Sequence, residues 1–238
     1  MIHHFTWPPL LFAFLNILLA TQPEANAALF AHHQGDNYRD FTLYTDGIIQ
    51  QRPDWKNSDN PAFGPQMLFQ DINQDQQKDI IILLTTGHGT GLIQQEAHVF
   101  HGGGHYPEFL VDNPMAILLK NVHTKLTKQQ ATITINGKTT VVDVAQYKYD
   151  PEHILKEVIL SAHLHFEIIN NKLTAIAQAQ IVFLGGSIGE IHITYGFKNN
   201  MYQAERIEFI PLQKRPPASE TGGLLSTTKT KEPFHSLR

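Results

Sequence analysis

Residues 71–79 read Asp71-Ile72-Asn73-Gln74-Asp75-Gln76-Gln77-Lys78-Asp79 and run directly into Ile80-Ile81-Ile82-Leu83-Leu84. The second half decides the fold. An unbroken apolar run, rich in β-branched side chains and bounded by an acidic turn and by Gly87, reads as a buried strand from Asp79 to Thr85. The first half places short oxygen side chains at positions 1, 3, 5 and 9 of a tight loop. Ca²⁺ is a hard cation that takes roughly six to eight oxygen ligands. Asp71, Asn73, Asp75 and Asp79 supply side-chain oxygens for it, and the backbone carbonyl of Gln77 stands at position 7. Ca²⁺ is therefore the expected cofactor. The alternative is a solvated Asp/Asn turn that binds nothing.

Spacing excludes an EF-hand. Position 12 falls on Ile82, where a bidentate Glu is required, and the exit element is a β-run where an EF-hand has a helix. The strand–loop–strand form resembles the calcium loops of FG-GAP/VCBS repeats, found in integrin α-chain propellers and in secreted bacterial proteins. Phe63-Gly64-Pro65, Asp79-Ile80-Ile81, the Gly-rich turn after residue 86, Glu96-x-His98-Val99-Phe100 and the Asn136-Gly137-Lys138 hairpin extend the resemblance over about residues 40–211. They are similar to single-loop VCBS-type proteins of spore-forming bacteria. The resemblance implies a role in binding or assembly at the cell envelope or outside the cell. One departure is Gln76: position 6 of such loops is normally Gly, because the backbone turns there with positive φ. A side chain in that conformation costs about 1 kcal/mol.

The chain has 238 residues and no Cys. Trp7 to Ala20 is an apolar run, and Ala25-Asn26-Ala27 is a small-x-small cleavage motif, so residues 1–27 read as an export signal. The n-region, Met1 to Thr6, carries no Lys or Arg, and a buried N-terminal helix is the alternative. The run is short for a membrane span, and Pro8-Pro9 interrupts it. No later segment is apolar enough to span. Residues 28–213 read as one β-rich domain, with a possible division into two lobes near 112–130, and the Pro-, Ser- and Lys-rich residues 214–238 as a disordered tail. Without disulfides, a bound ion is the available brace for an exported domain. Residues 28–213 hold 13 Lys and Arg against 19 Asp and Glu, a net of −6. That charge argues against a nucleic-acid partner, which needs a concentrated basic face.

The expected fold class is mainly β, built from antiparallel meanders and hairpins, with one or two short helices at about 113–126 and 151–158. Phe41–Tyr44, Asp46-Gly47 and Ile48–Gln50 form one hairpin, and Ala131–Ile135, Asn136-Gly137 and Lys138–Val142 another, since Asn-Gly and Asp-Gly accept positive φ at both turn positions. Residues 51–66, with three Pro, read as a long loop. Asn113 caps the first helix and Pro114 suits its first position. Further strands turn at Asn170-Asn171, Gly185-Gly186 and Asn199-Asn200. A weak internal echo relates Ile80–Leu110 to Gln178–Ile210, which suggests a propeller-like or stacked-sheet arrangement.

No enzyme motif completes the picture. There are 14 His, and His88, His98, His101 and His105 cluster in sequence, but His98 and His101 fall on opposite faces of a strand and no H-E-x-x-H occurs. Gly87-x-Gly89-x-Gly91 lacks the helix of a dinucleotide site. Ser187 sits one residue short of G-x-S-x-G. The leading expectation is an exported non-enzymatic domain. Its rival is an exported hydrolase, metal-dependent or metal-free, with a cleft near Glu96 and His98.

Overall fold

Every side chain from Ile80 to Leu84 is buried, and alternate ones enter different cores. The computed structural model that shows this describes residues 16–183 and 186–212. Its strands are β1 (Ile17–Gln22), β2 (Ala27–Gln34), β3 (Asn37–Thr45), β4 (Ile48–Ser58), β5 (Gln66–Gln70), β6 (Asp79–Gly89), β7 (Leu92–Phe100) and β8 (Glu108–Val111). After helix α1 (Pro114–Asn121) come β9 (Val122–Leu126), β10 (Gln130–Ile135), β11 (Lys138–Asp143), β12 (Ile154–Ile159), β13 (His163–Ile169), β14 (Lys172–Val182), β15 (Gly186–Lys198) and β16 (Met201–Pro211). The chain is mainly β, as its residue pattern indicates.

The strands form a four-stranded sheet (β1-β2-β3-β4), a three-stranded sheet (β11-β10-β9) and a nine-stranded sheet containing the rest. The large sheet closes on itself. Following the pairings, β14, β15, β16, β8, β7 and β13 lead back to β14. Two of the contacts in that ring are short and parallel, Met201↔Leu110 with Tyr202↔Val111, and His163↔Ile93 with Leu164↔Gln94. The two echoing meanders are thus neighbours, joined where β16 meets β8. Strands β6 and β5 continue outward from β7, and β12 takes the edge of β14 beyond β13.

The ring is filled by inward side chains. Ala175, Ala177 and Ala179 of β14 leave room for Phe166, Ile191, Ile193 and Tyr195, and β10 adds Ala131, Ile133 and Ile135 to the same core. Small residues opposite large ones are what a narrow closed sheet requires. Ile81 and Leu83 enter this core. Ile80, Ile82 and Leu84 enter the second one, with Leu29, Phe41, Leu43, Trp55 and Phe100, where the four-stranded sheet covers β6. Each fully buried Ile or Leu contributes about 1.5–3 kcal/mol, so β6 ties both cores together.

Several expectations are corrected. The first helix starts as read: the Asn113 side chain accepts from Ala116 N–H at 3.1 Å. It ends at Asn121, because Val122 to Leu126 pairs with β10 and its β-branched start favours the strand. Residues 151–158 are not helical. Ile154 and Ile159 sit on the free edge of β14, opposite Val182 and Gln180. Residues 51–58 continue β4 and are not loop. Pro53 lies in a bulge where Arg52 opposes Phe41 and Lys56 opposes Arg39, so its missing N–H breaks no ladder bond.

The expected signal segment overlaps the fold. β1 pairs with β2, Ala25 and Ala27 are buried, and Glu24 meets Lys78 at 2.7 Å. Residues 1–15, Leu184, Gly185 and the tail expected over 214–238 lie outside the described residues. No helix among the described residues is long and apolar enough to cross a membrane.

Candidate functional site

The acidic loop joins β5 to β6, and its base closes where Gln70 pairs with Asp79. It is a strand–loop–strand unit. Its curl comes from short side chains capping their own backbone. Asp71 Oδ1 accepts from Gln74 N–H at 2.7 Å and its Oδ2 from Gln76 N–H at 2.9 Å. Asn73 Oδ1 accepts from Asp75 N–H at 3.0 Å, and Asp75 Oδ1 from Gln77 N–H at 2.8 Å. The Asn73 amide also donates to Asp75 Oδ2 at 3.0 Å. Gln74 and Gln76 have φ of 66° and 72°. Position 6 therefore has a left-handed backbone of the kind that favours glycine, here carried by Gln76.

Asp79 differs from the other three. It is fully buried, with Oδ2 accepting from Ile72 N–H and Oδ1 from Gly102 N–H, both at 3.1 Å. It braces the loop to the Gly102–Gly104 turn. Burial pushes its carboxyl up, against the two N–H bonds and the nearby His101, while Asp75 adds to the rise. Burial likewise pushes His101 down, against the pull of Asp79 and Asp75. Low polarity thus drives the acid and the base toward their neutral forms. His101 Nε2 lies 2.8 Å from the hydroxyl of the buried Tyr202. Burial, then the loop carboxylates, drive that phenol upward. A buried chain of polar groups therefore links the loop to β16.

Ile72, at loop position 2, is buried in the ring core and fixes the loop from beneath. Asp71 and Asn73 are half-buried, whereas Asp75 and Gln77 are exposed. Among the described residues, no three His, Asp or Glu side chains gather as a metal cluster. The backbone is already wrapped in the manner of an ion loop, while its carboxylates cap N–H groups. Each capped oxygen retains a lone pair, and with the Gln77 carbonyl the donor set is all oxygen, which suits Ca²⁺ and not zinc.

The histidines disperse as strand geometry predicts. His98 stacks on Trp55 with ring centroids 4.0 Å apart, whereas His101 packs against Phe109 and Tyr202. His88 stacks on Phe63. His163 and His165 share a sheet face with centroids 5.4 Å apart, and burial, then His165, push His163 down. Buried Ser187 lies 2.8 Å from the Gly189 carbonyl and serves as a turn contact.

Glu96 and His98 both line a cleft of about 280 Å³ between β7, β8 and β13. The group beside it carries no local signal in the residue order, because its members come from three strands. Glu108 receives His98 Nδ1 at 3.0 Å and Arg52 at 2.9 Å, and the Arg52 guanidinium lies 5.6 Å from the ring centroids of both Trp55 and Phe100. Burial would raise the Glu108 carboxyl, but His98 and Arg52 outweigh it and hold it below its usual range. This group fastens the four-stranded sheet to the ring. Thr86 carries the one hydroxyl side chain in the cleft lining. Compared with family models, characterised proteins and solved structures, the chain shows no match.

Proposed function

We propose that this is an exported, non-enzymatic β-domain braced by one Ca²⁺ in the 71–79 loop, acting in binding or assembly at the cell envelope or outside the cell. The observation that carries the reading is the backbone of the loop: positive φ at Gln74 and Gln76, closed by one Asp71 carboxylate across two N–H groups. Asp71, Asn73, Asp75 and the Gln77 carbonyl are the donors that face outward enough to reach an ion, and Asp79 anchors the base as the remaining ligand. The ion holds β5 against β6 at the junction of the two cores. It also offsets the repulsion among the loop carboxylates, about 4 kcal/mol per pair at 4 Å and an effective dielectric of 20.

The FG-GAP/VCBS resemblance of the loop, and the reading of residues 1–27 as an export signal, support the extracellular setting. The rival hydrolase reading draws on the presence of Glu96 and His98 in the lining of one cleft, where, among the described residues, the one hydroxyl side chain is that of Thr86, which donates to the Gln94 carbonyl. Thermal melting in millimolar Ca²⁺ and in chelator tests the proposal. The melting temperature rises with Ca²⁺ and the Asp75→Ala variant loses the rise. An equal melting temperature in both solutions removes the ion from the account.

A further inference from the structure

One short seam completes the ring where β16 meets β8. The strands pair there at Met201↔Leu110 and Tyr202↔Val111, and the Asp112 N–H extends the contact to the Tyr202 carbonyl at 2.9 Å. Parallel pairs are slightly the weaker kind per residue, so a contact this short depends on the side chains packed beneath it. His101 touches both sides of the seam. Its ring centroid lies 4.1 Å from that of Phe109 on β8 and 4.5 Å from that of Phe197 on β15, and its Nε2 lies 2.8 Å from the Tyr202 hydroxyl on β16. Tyr195 adds a tie from β15, donating its hydroxyl to the Asp112 carbonyl at 2.9 Å.

His101 is in turn held by the acidic loop. Its chain neighbour Gly102 donates its N–H to Asp79 Oδ1 at 3.1 Å, and the same turn lies against the loop backbone. A Cβ added at Gly102 would come 2.3 Å from the Lys78 carbonyl oxygen, and one at Gly103 would strike the Gln77 side chain. With contacts this close the turn has no slack, and a shift of residues 77–79 is passed to His101. The turn is fixed at its far end too, where the His101 N–H donates to the Pro107 carbonyl at 3.1 Å, just ahead of β8. Loop, turn and seam form one continuous packed path.

We propose that occupancy of the 71–79 loop by Ca²⁺ governs how firmly the ring closes at the β16–β8 seam, with His101 and Tyr202 carrying the coupling. This rests on the Ca²⁺ reading of the loop. In the occupied loop, residues 77–79 are fixed, the turn is held down, and His101 stays wedged against Phe109 and Tyr202. In the empty loop the carboxylates repel one another, the turn loosens, and the seam opens locally at lower cost than the whole fold. Opening parts β8 from β16 and uncovers Tyr195 and Tyr202, both buried in the closed ring. Ambient Ca²⁺ then sets the exposure of this part of the core.

Amide hydrogen exchange of the full chain, in chelator and in millimolar Ca²⁺, tests this. It is read at Asp112 in the seam and at Leu43, which lies in the centre of the four-stranded sheet and reports the whole fold. Calorimetry on the same protein reports whether the ion binds. In Ca²⁺, Asp112 exchange is expected to slow about tenfold more than Leu43 exchange. Tyr202→Phe keeps the ring and alters no loop donor; it is expected to bind Ca²⁺ as the parent does and to lose the extra slowing at Asp112. In chelator, Gly102→Ala, which lifts the turn off the loop, is expected to speed Asp112 exchange about tenfold relative to Leu43, and Gly104→Ala to leave it unchanged. Three results overturn the coupling and leave the ion reading standing: Ca²⁺ binding with no extra slowing at Asp112, extra slowing that persists in Tyr202→Phe, or equal exchange in the two glycine variants. Absence of saturable heat with Ca²⁺ overturns both, and the calorimetry then places the fault in the ion reading.

Discussion

Gly102 donates its N–H to Asp79 at 3.1 Å across a contact so close that a Cβ on Gly102 would lie 2.3 Å from the Lys78 carbonyl oxygen. The neighbouring Gly103 is equally constrained: its φ is +83° and a Cβ there would strike the Gln77 side chain. The glycine run therefore exists to let one turn lie flat on the acidic loop. Gly102→Ala is expected to destabilise the fold by about 1–3 kcal/mol, measured by chemical denaturation, because the clashing atom is backbone. Gly104→Ala, which meets open space, is expected to leave stability nearly unchanged.

Asp79→Ala leaves the Ile72 and Gly102 N–H groups without acceptors in the interior. The expected cost is about 1–3 kcal/mol for each. Asp79→Asn keeps one acceptor oxygen and is expected to fall between the two. Denaturation midpoints of the three proteins give the order, and an Asp79→Ala variant as stable as the parent would remove the bracing role.

Gln76 holds φ at 72°. Gln76→Gly relieves a left-handed backbone and is expected to stabilise the folded chain by up to about 1 kcal/mol, even though glycine also loosens the unfolded chain. The same change is expected to tighten Ca²⁺ binding. Loss of stability would mean that the Gln76 side chain itself holds the loop.

Glu108 gives a pH signature. Its folded carboxyl titrates below its ordinary value of 4.5, burial being outweighed by His98 and Arg52. A depressed acid contributes stability that is fully present above the unfolded value and is lost as pH falls through the folded one. The stability gap between the parent and Glu108→Gln is therefore expected to be level above about pH 5 and to shrink at lower pH, read from urea midpoints across the range. A gap that widens on acidification contradicts the assignment.

Ala27 is fully buried and β1 is paired, so a folded full-length chain shields its small-x-small motif. If residues 1–27 act as the proposed export signal, processing precedes folding, and the mature chain is expected to begin at Ala28, with β2 as the new sheet edge. Intact-mass measurement of the exported protein checks this. A mature chain that retains Ile17–Gln22 overturns the processing site.

Local chemistry was the legible part of this sequence. The turns at Asp46-Gly47, Asn136-Gly137, Asn170-Asn171 and Asn199-Asn200 all have positive φ at both positions, and Asn113 caps its helix, because each depends on neighbours in the chain. The apolar run Ile80–Leu84 announced a buried strand. What stayed hidden is non-local. Closure of the ring rests on two-residue contacts such as Met201↔Leu110, and nothing near either residue marks them. Pro53 looked like loop because a bulge that tolerates it is a property of two strands. The Arg52–Glu108–His98 group draws on three strands, and the packing of Gly102 on Lys78 appears only once the hairpin and the turn are brought together.

The central claim is that the 71–79 loop takes one Ca²⁺. Calorimetric titration of Ca²⁺ into chelator-treated protein tests it most directly. The account requires saturable heat with one ion per chain, absent in Asp75→Ala and matched by no comparable Mg²⁺ binding, since Mg²⁺ demands tighter octahedral geometry. Absence of saturable heat into the millimolar range, or identical binding by Asp75→Ala, would contradict it.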